Sequence, residues 1–116
     1  MNLENDEVSD RDFGLRLTSG AVNDLEKLDD HISDQLKNEI ITLVDNPTRG
    51  EIKGGKLKNF RAFEPYVDRK ESYRIGYALI SIQDEPWISI VLIGKREDFY
   101  ERLERRVESF NPDEFI

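Results

Sequence analysis

The stretch Ser72–Arg106, SYRIGYALISIQDEPWISIVLIGKREDFYERLERR, decides how this chain folds. Two runs rich in β-branched and aromatic residues, Tyr73 to Ile82 and Trp87 to Ile93, flank the polar group Gln83-Asp84-Glu85-Pro86. Such runs on either side of a short turn-forming segment make an antiparallel hairpin. The second run, Trp87-Ile88-Ser89-Ile90-Val91-Leu92-Ile93, is apolar on nearly both faces, which predicts a central strand covered by helices on one side. After it the period changes. From Glu97 to Val107, Phe99, Leu103 and Val107 recur at intervals of four opposite a face of glutamate and arginine, the pattern of an amphipathic helix.

Upstream, Phe13 to Thr18 alternates apolar and other residues as a short half-buried strand does. Thr18 or Ser19 can cap a helix in which Val22, Leu25 and Leu28 face the core while Asn23, Asp24, Glu26 and Lys27 take the wet side. A second helical stripe, Ile32, Leu36, Ile40, Leu43 and Val44, has Asp30 or Ser33 as its cap and ends at Asn46-Pro47. Thr48 to Asn59, with Gly50, Gly54 and Gly55 among lysines, reads as a mobile basic loop, and Phe60 to Val67 as a further strand. The expected architecture is α+β: a twisted antiparallel sheet of about four strands, an N-terminal helical hairpin and a C-terminal helix, with the helices on one face. The folded domain spans residues 13–107, between a flexible acidic tail at 1–12 and a loose acidic tail at 108–116.

At 116 residues the chain has the length of one domain. The absence of cysteine removes disulfides and thiolate ligands, and with His31 as the single histidine a zinc site would rest on carboxylates, so neither a metal nor another cofactor is expected. No run approaches the roughly 18 apolar residues of a membrane span, and the acidic opening lacks the basic and apolar regions of a signal peptide. The expected address is therefore the cytoplasm, with no membrane partner. A net charge of −8 argues against a protein that coats nucleic acid. The charge is uneven, however: residues 1–48 carry −8, residues 49–74 carry +4 and residues 75–116 carry −4. A basic segment on an acidic body points to a confined anionic substrate or an acidic partner, or else to a lysine-rich loop with no further role.

Glycine-rich nucleotide loops, cysteine nucleophiles and histidine-glutamate metal motifs are missing from the sequence. His31, at the junction of the two helices, reads as structural. The residues left for chemistry stand at strand ends: Arg74 opens one strand of the hairpin, Lys95 and Arg96 follow the other, and Tyr100 comes four residues later, one helical turn from Arg96. Pairing of the two strands brings Arg74 and Arg96 close together. Guanidinium groups suit a phosphate because each offers a rigid fork of donors and a permanent charge. Cleaving RNA requires a group that takes a ribose hydroxyl proton, groups that stabilise charge on phosphate oxygens, and a group that protonates the departing oxygen. Arginines fit the second task, and a phenol among cations fits the first. The alternative is that Tyr100 packs its ring on the sheet edge while the arginines pair with Glu97, Asp98 and Glu101.

The YRI-G-Y strand at Tyr73–Tyr77, the polar turn, the apolar strand ending in Gly94-Lys95-Arg96 and the tyrosine soon after resemble the carboxy-terminal half of RelE/ParE superfamily toxins. The helical hairpin ending in Asn46-Pro47 and the stretch Gly55-Lys56-Leu57-Lys58 are similar to that family's upstream part, so the resemblance covers about residues 15 to 107. It implies a RelE-like fold and the toxin of a microbial type II toxin-antitoxin system, a ribosome-dependent messenger RNA endoribonuclease that needs no cofactor and is silenced by a cognate antitoxin protein. In that family's terms Arg74 contacts the scissile phosphate, Arg96 acts as acid or charge stabiliser and Tyr100 as general base. Lys53, Lys56, Lys58, Arg69 and Lys95 are then the RNA-binding cations. Val67 departs from the pattern, since related nucleases often carry a second cation there. A ParE-like inhibitor of DNA gyrase, and a degenerate member that only binds its partner, remain the alternatives.

Overall fold

The computed structural model describes residues 12–67, 72–110 and 115–116. The elements run β1 (Gly14–Leu17), α1 (Ser19–Glu26), α2 (Asp30–Ile41), a 3-10 turn (Thr42–Val44), β2 (Glu51–Ile52), a second 3-10 turn (Gly55–Leu57), β3 (Arg61–Phe63), β4 (Tyr73–Ile82), β5 (Glu85–Lys95) and α3 (Phe99–Val107). The five strands form one sheet in the order β1-β5-β4-β3-β2. This is the expected α+β class with one strand more, since the segment expected to be a mobile loop contributes β2, paired with β3 through Glu51↔Ala62 and Ile52↔Arg61. Four strands are antiparallel neighbours, while β1 lies parallel to β5, with Gly14 opposite Trp87 and Leu17 opposite Ile90, so the sheet is mixed at that edge.

Hairpin β4–β5 is the spine of the molecule, and its turn is tighter than the four polar residues imply. Gln83 and Asp84 both adopt positive φ, 52° and 66°, so a two-residue turn suffices and Pro86 falls inside β5 opposite Ser81. Pairs alternate along an antiparallel ladder, so after the closing pair Ile82↔Glu85 the Pro86 nitrogen points away from β4. On that side β1 begins its pairing only at Trp87, so no ladder bond is lost to the missing N–H. Further along, the register shifts between Gly76 and Tyr77, which leaves Val91 as an extra residue on β5.

The sheet is covered on both faces rather than one. Ala21, Leu25, Ile32, Leu36, Ile40 and Leu43 of the helical hairpin pack with Tyr73, Ile75, Tyr77, Ile88, Ile90 and Ile93. On the opposite face, Phe99 and Leu103 of α3 join Leu57, Phe60, Ala78, Ile80, Val91 and Leu92. Thus β5 is apolar on both sides because each side meets a different helical layer. The helix caps follow the Ser/Thr/Asp rule: Thr18 Oγ1 accepts from Ala21 N at 3.2 Å, and Asp29, not Asp30 or Ser33, accepts from Ile32 N at 3.0 Å. Helix α3 begins at Phe99, two residues later than its periodicity implies, because Asp98 takes a left-handed conformation with φ 58°.

The two expected tails fare differently. Residues 1–11 of the N-terminal one lie outside the described residues. The C-terminal one is docked rather than loose where it is described: Phe115 bridges Ile80, Ile116 N donates to Leu79 O at 3.1 Å, and Phe110 and Phe115 pack edge-on against Phe60 at 5.4 and 5.2 Å. Strand β3 pairs with β4 only from Ile75 to Tyr77, so this segment occupies part of the β4 edge that β3 leaves open. Among the described residues no helix is long and apolar enough to cross a membrane.

Candidate functional site

The strand period sets the site. Tyr73 and Ile75 point into the core beneath the helical hairpin, so Arg74 and Gly76 face the α3 side. Gly76 lets that helix come close: a Cβ there would lie 3.1 Å from Phe99 Cζ and 3.2 Å from Leu103 Cδ1. With α3 seated so low, the Tyr100 ring stands over the start of β4. The Arg74 guanidinium carbon lies 5.8 Å from its centroid and Lys53 Nζ lies 5.0 Å from the same centroid. The ring's position is fixed from below by an edge-to-face contact with Phe99, 5.3 Å between centroids at 88°.

Lys53 reaches this place because its own backbone is tied down, its N–H donating to Phe60 O at 3.2 Å just beyond the β2–β3 pair. Its ammonium is also 3.8 Å from the exposed Glu51 carboxylate, an ion pair that contributes little in solvent. Arg74 Nε is buried and, among the described residues, has no hydrogen-bond partner. A buried donor left without an acceptor costs about 1–3 kcal/mol, a cost that an anionic ligand oxygen would remove.

The other candidates fall in different places. Arg96 follows β5, its N–H donating to Ser72 O at 3.0 Å and its carbonyl accepting from Phe99 N at 3.3 Å, with an exposed side chain. Its backbone is thus beside the start of β4, but it precedes α3, so the helical-turn relation to Tyr100 does not hold. Lys95 stands opposite Tyr73, on the other side of the strand from Arg74. It lines a separate cleft of about 360 Å³ with Lys27, Tyr73 and Arg102. Lys56 is exposed on the Gly55–Leu57 turn, whose Leu57 is buried. Lys58 borders a groove of about 280 Å³ with Ile52, Arg61, Leu79 and Ile116. Arg69 lies outside the described residues, while Val67 packs against the hairpin-side core.

Two polar features escape the sequence reading. Asp24, expected on the wet side of α1, is 7% exposed and accepts from Ile93 N at 2.9 Å and from Arg106 Nη1 at 2.6 Å. The signal was present: Ala21, Asp24, Leu25 and Leu28 form an i, i+3, i+4, i+7 stripe, which describes the buried face better than one starting at Val22, itself 42% exposed. An acid in such a stripe requires a cationic partner. The second feature is Tyr77, fully buried, whose hydroxyl donates to Pro47 O at 2.6 Å and accepts from Gly50 N at 2.8 Å. It locks the segment after the helical hairpin to β4, just ahead of the strand that leads to Lys53. Burial pushes its phenol above the usual value, opposed by the Gly50 N–H and by Arg61 and Arg49.

The site thus sits on a sheet flanked by a helical hairpin and a single helix, with two cations against a tyrosine at the open end of its central hairpin. The family described as "ParE-like toxin of type II bacterial toxin-antitoxin system" matches residues 16–104, and the chain belongs to it. Among solved structures, a free RelE toxin mutant of E. coli is 19% identical with a TM-score of 0.63, covering 85% of this chain and 98% of that one. The toxin-antitoxin complex RelBE2 of Mycobacterium tuberculosis contributes a chain 23% identical with a TM-score of 0.56, covering 72% and 98%. A YoeB/ParE toxin of Agrobacterium tumefaciens is 15% identical with a TM-score of 0.55, covering 72% and 99%. No curated protein matches the chain.

Proposed function

We propose that this toxin is a ribosome-dependent endoribonuclease that cuts messenger RNA in the cytoplasm and is held silent by a cognate antitoxin. The observation that carries the reading is that Lys53 and Arg74 both lie against the Tyr100 ring, 5.0 and 5.8 Å from its centroid, with Arg74 Nε buried and unpartnered among the described residues. In this reading the scissile phosphate sits against Arg74 and Lys53, which stabilise its oxygens as charge gathers there. Tyr100 accepts the proton of the neighbouring ribose 2′-hydroxyl. That oxygen then bonds to phosphorus, the bond from phosphorus to the 5′-oxygen breaks while Arg96 at the rim offsets its charge, and the proton taken up by Tyr100 returns to the departing oxygen, directly or through water. Lys56 and Lys58 on the basic segment, together with Arg69 and with Lys95 from its separate cleft, are further cations for RNA away from the cut. Support for an antitoxin partner comes from the family itself and from RelE-type relatives solved with their antitoxins.

The test is induction of the chain without antitoxin and mapping of messenger RNA ends. Arg96→Ala and Tyr100→Phe are expected to lose cleavage on the order of 10²-fold or more. Wild-type cleavage in both variants would remove these residues from the mechanism. The ParE-like family description favours a second reading, inhibition of DNA gyrase by binding. It predicts intact messages with blocked supercoiling, so the same induction separates the two.

A further inference from the structure

Strand β1 accompanies β5 only as far as the Leu17↔Ile90 pair, so from Val91 onward that edge of β5 has no neighbouring strand. Side chains take its place. Asp24 Oδ2 accepts the Ile93 N–H at 2.9 Å, and Arg106 Nη1 donates to the Val91 carbonyl at 2.9 Å. The same two side chains bind each other, Nη1 to Oδ2 at 2.6 Å and Nη2 to Oδ1 at 3.3 Å. Arg102 Nη2 adds a second cation 3.9 Å from Oδ1.

The two partners come from opposite sides of the sheet. Asp24 rides on α1, which packs into the hairpin-side core, and Arg106 rides on α3, which packs into the other. Glycines make room for this crossing. A Cβ at Gly20 would lie 3.1 Å from the Arg106 guanidinium, and one at Gly94 would lie 2.6 Å from Arg102 Nη1. Arg106 is six residues along α3 from Tyr100, about 9 Å of helix axis. The clamp therefore holds one end of a nine-residue helix whose other end carries Tyr100.

We propose that Asp24 and Arg106 are positioning residues that fix how α3 sits on the sheet, and through it where the Tyr100 ring stands relative to Lys53 and Arg74. Hydrophobic contacts from Phe99 and Leu103 hold α3 against the sheet, but such contacts are non-directional. The planar guanidinium, bonded at once to a carboxylate and a backbone carbonyl, adds direction. The catalytic consequence rests on the nuclease reading, whereas the geometric one does not.

The experiment uses the purified full chain with 13C-labelled lysine. Lys53 Nζ over the Tyr100 ring puts the adjacent methylene in the ring's shielding field, and Tyr100→Leu identifies that resonance. Asp24→Asn keeps an acceptor for Ile93 N–H and removes the charge. Arg106→Lys keeps the charge and loses the fork. In both folded variants the Lys53 methylene is expected to lose its ring shift, and kcat for cleavage of messenger RNA on added ribosomes is expected to fall on the order of tenfold or more with KM within about twofold, as misplacement of a reacting group does. An unchanged Lys53 resonance in either folded variant overturns the proposal, whatever the activity. If Asp24→Asn does not fold, Arg106→Lys decides the matter alone. A lost ring shift in a chain whose wild type cuts no messenger RNA even with ribosomes added leaves the positioning role standing and removes the nuclease reading instead.

Discussion

Replacing Tyr77 by phenylalanine isolates one oxygen atom. The ring keeps its buried seat and its edge-to-face contact with Phe63, 6.1 Å between centroids at 77°, so the change is confined to the hydroxyl and its two bonds. Pro47 is partly exposed, and its carbonyl can turn to water, so that bond is worth about 1 kcal/mol. Gly50 is different. It is buried so tightly that even a Cβ would stand 2.9 Å from the Tyr77 ring, which leaves its N–H no substitute partner. Stranding that donor costs about 1–3 kcal/mol. The expected loss is about 2–4 kcal/mol, or roughly 8–16 °C in Tm for a chain of this length. Urea denaturation at neutral pH should show a lower midpoint with an unchanged slope. The pH dependence supplies a second reading of the same atom. Burial raises the Tyr77 phenol above 10.0, so the folded state holds the proton to higher pH than the unfolded state does. Stability from this group is therefore complete below about pH 10 and is lost as pH rises through the folded value. Tyr77→Phe abolishes that alkaline loss, and the stability curves of wild type and variant should converge above about pH 10. Equal urea midpoints at neutral pH would refute the lock.

Other predictions address the turn and the tail. Gln83→Asn with Asp84→Gly places a residue pair suited to positive φ at both turn positions and should raise stability by about 0.5–1 kcal/mol, measured as a higher thermal midpoint; a fall would contradict the turn geometry. Phe115→Ala removes ring contacts with Phe60 and Phe110 and loosens the segment on the β4 edge, at a cost of about 1–3 kcal/mol, with faster amide exchange along Leu79–Ile82. Unaltered exchange there would mean that the tail does not protect the edge.

The α+β class, the helical hairpin, and the strands Tyr73–Ile82 and Trp87–Ile93 were legible because each is a local pattern. Period 2 or period 3.6 shows in a window of a dozen residues whatever lies elsewhere in the chain. Element ends were less legible. Asp98 delays α3 by adopting a left-handed conformation that no periodicity announces, and two positive-φ residues shorten the hairpin turn. At the site, the residue types in the Lys53, Arg74 and Tyr100 set could be read as suited to a phosphate. Their convergence on one ring could not, nor could the placing of Lys95 on the other side of the strand, since strand alternation and the seat of α3 decide both.

Local pattern alone thus determined which segments fold and which residue types stand at the strand ends. Only the tertiary structure decided that β1 lies parallel to β5 across some seventy residues of sequence, that helices cover both faces, and that the C-terminal segment docks on the β4 edge. Asp24 shows why most plainly. As one acid in an amphipathic helix it looks solvated, yet it is buried because the β5 edge runs past the end of β1 and offers a backbone N–H that needs an acceptor. That need arises from how two distant strands end, and it is met by an arginine 82 residues away in the chain.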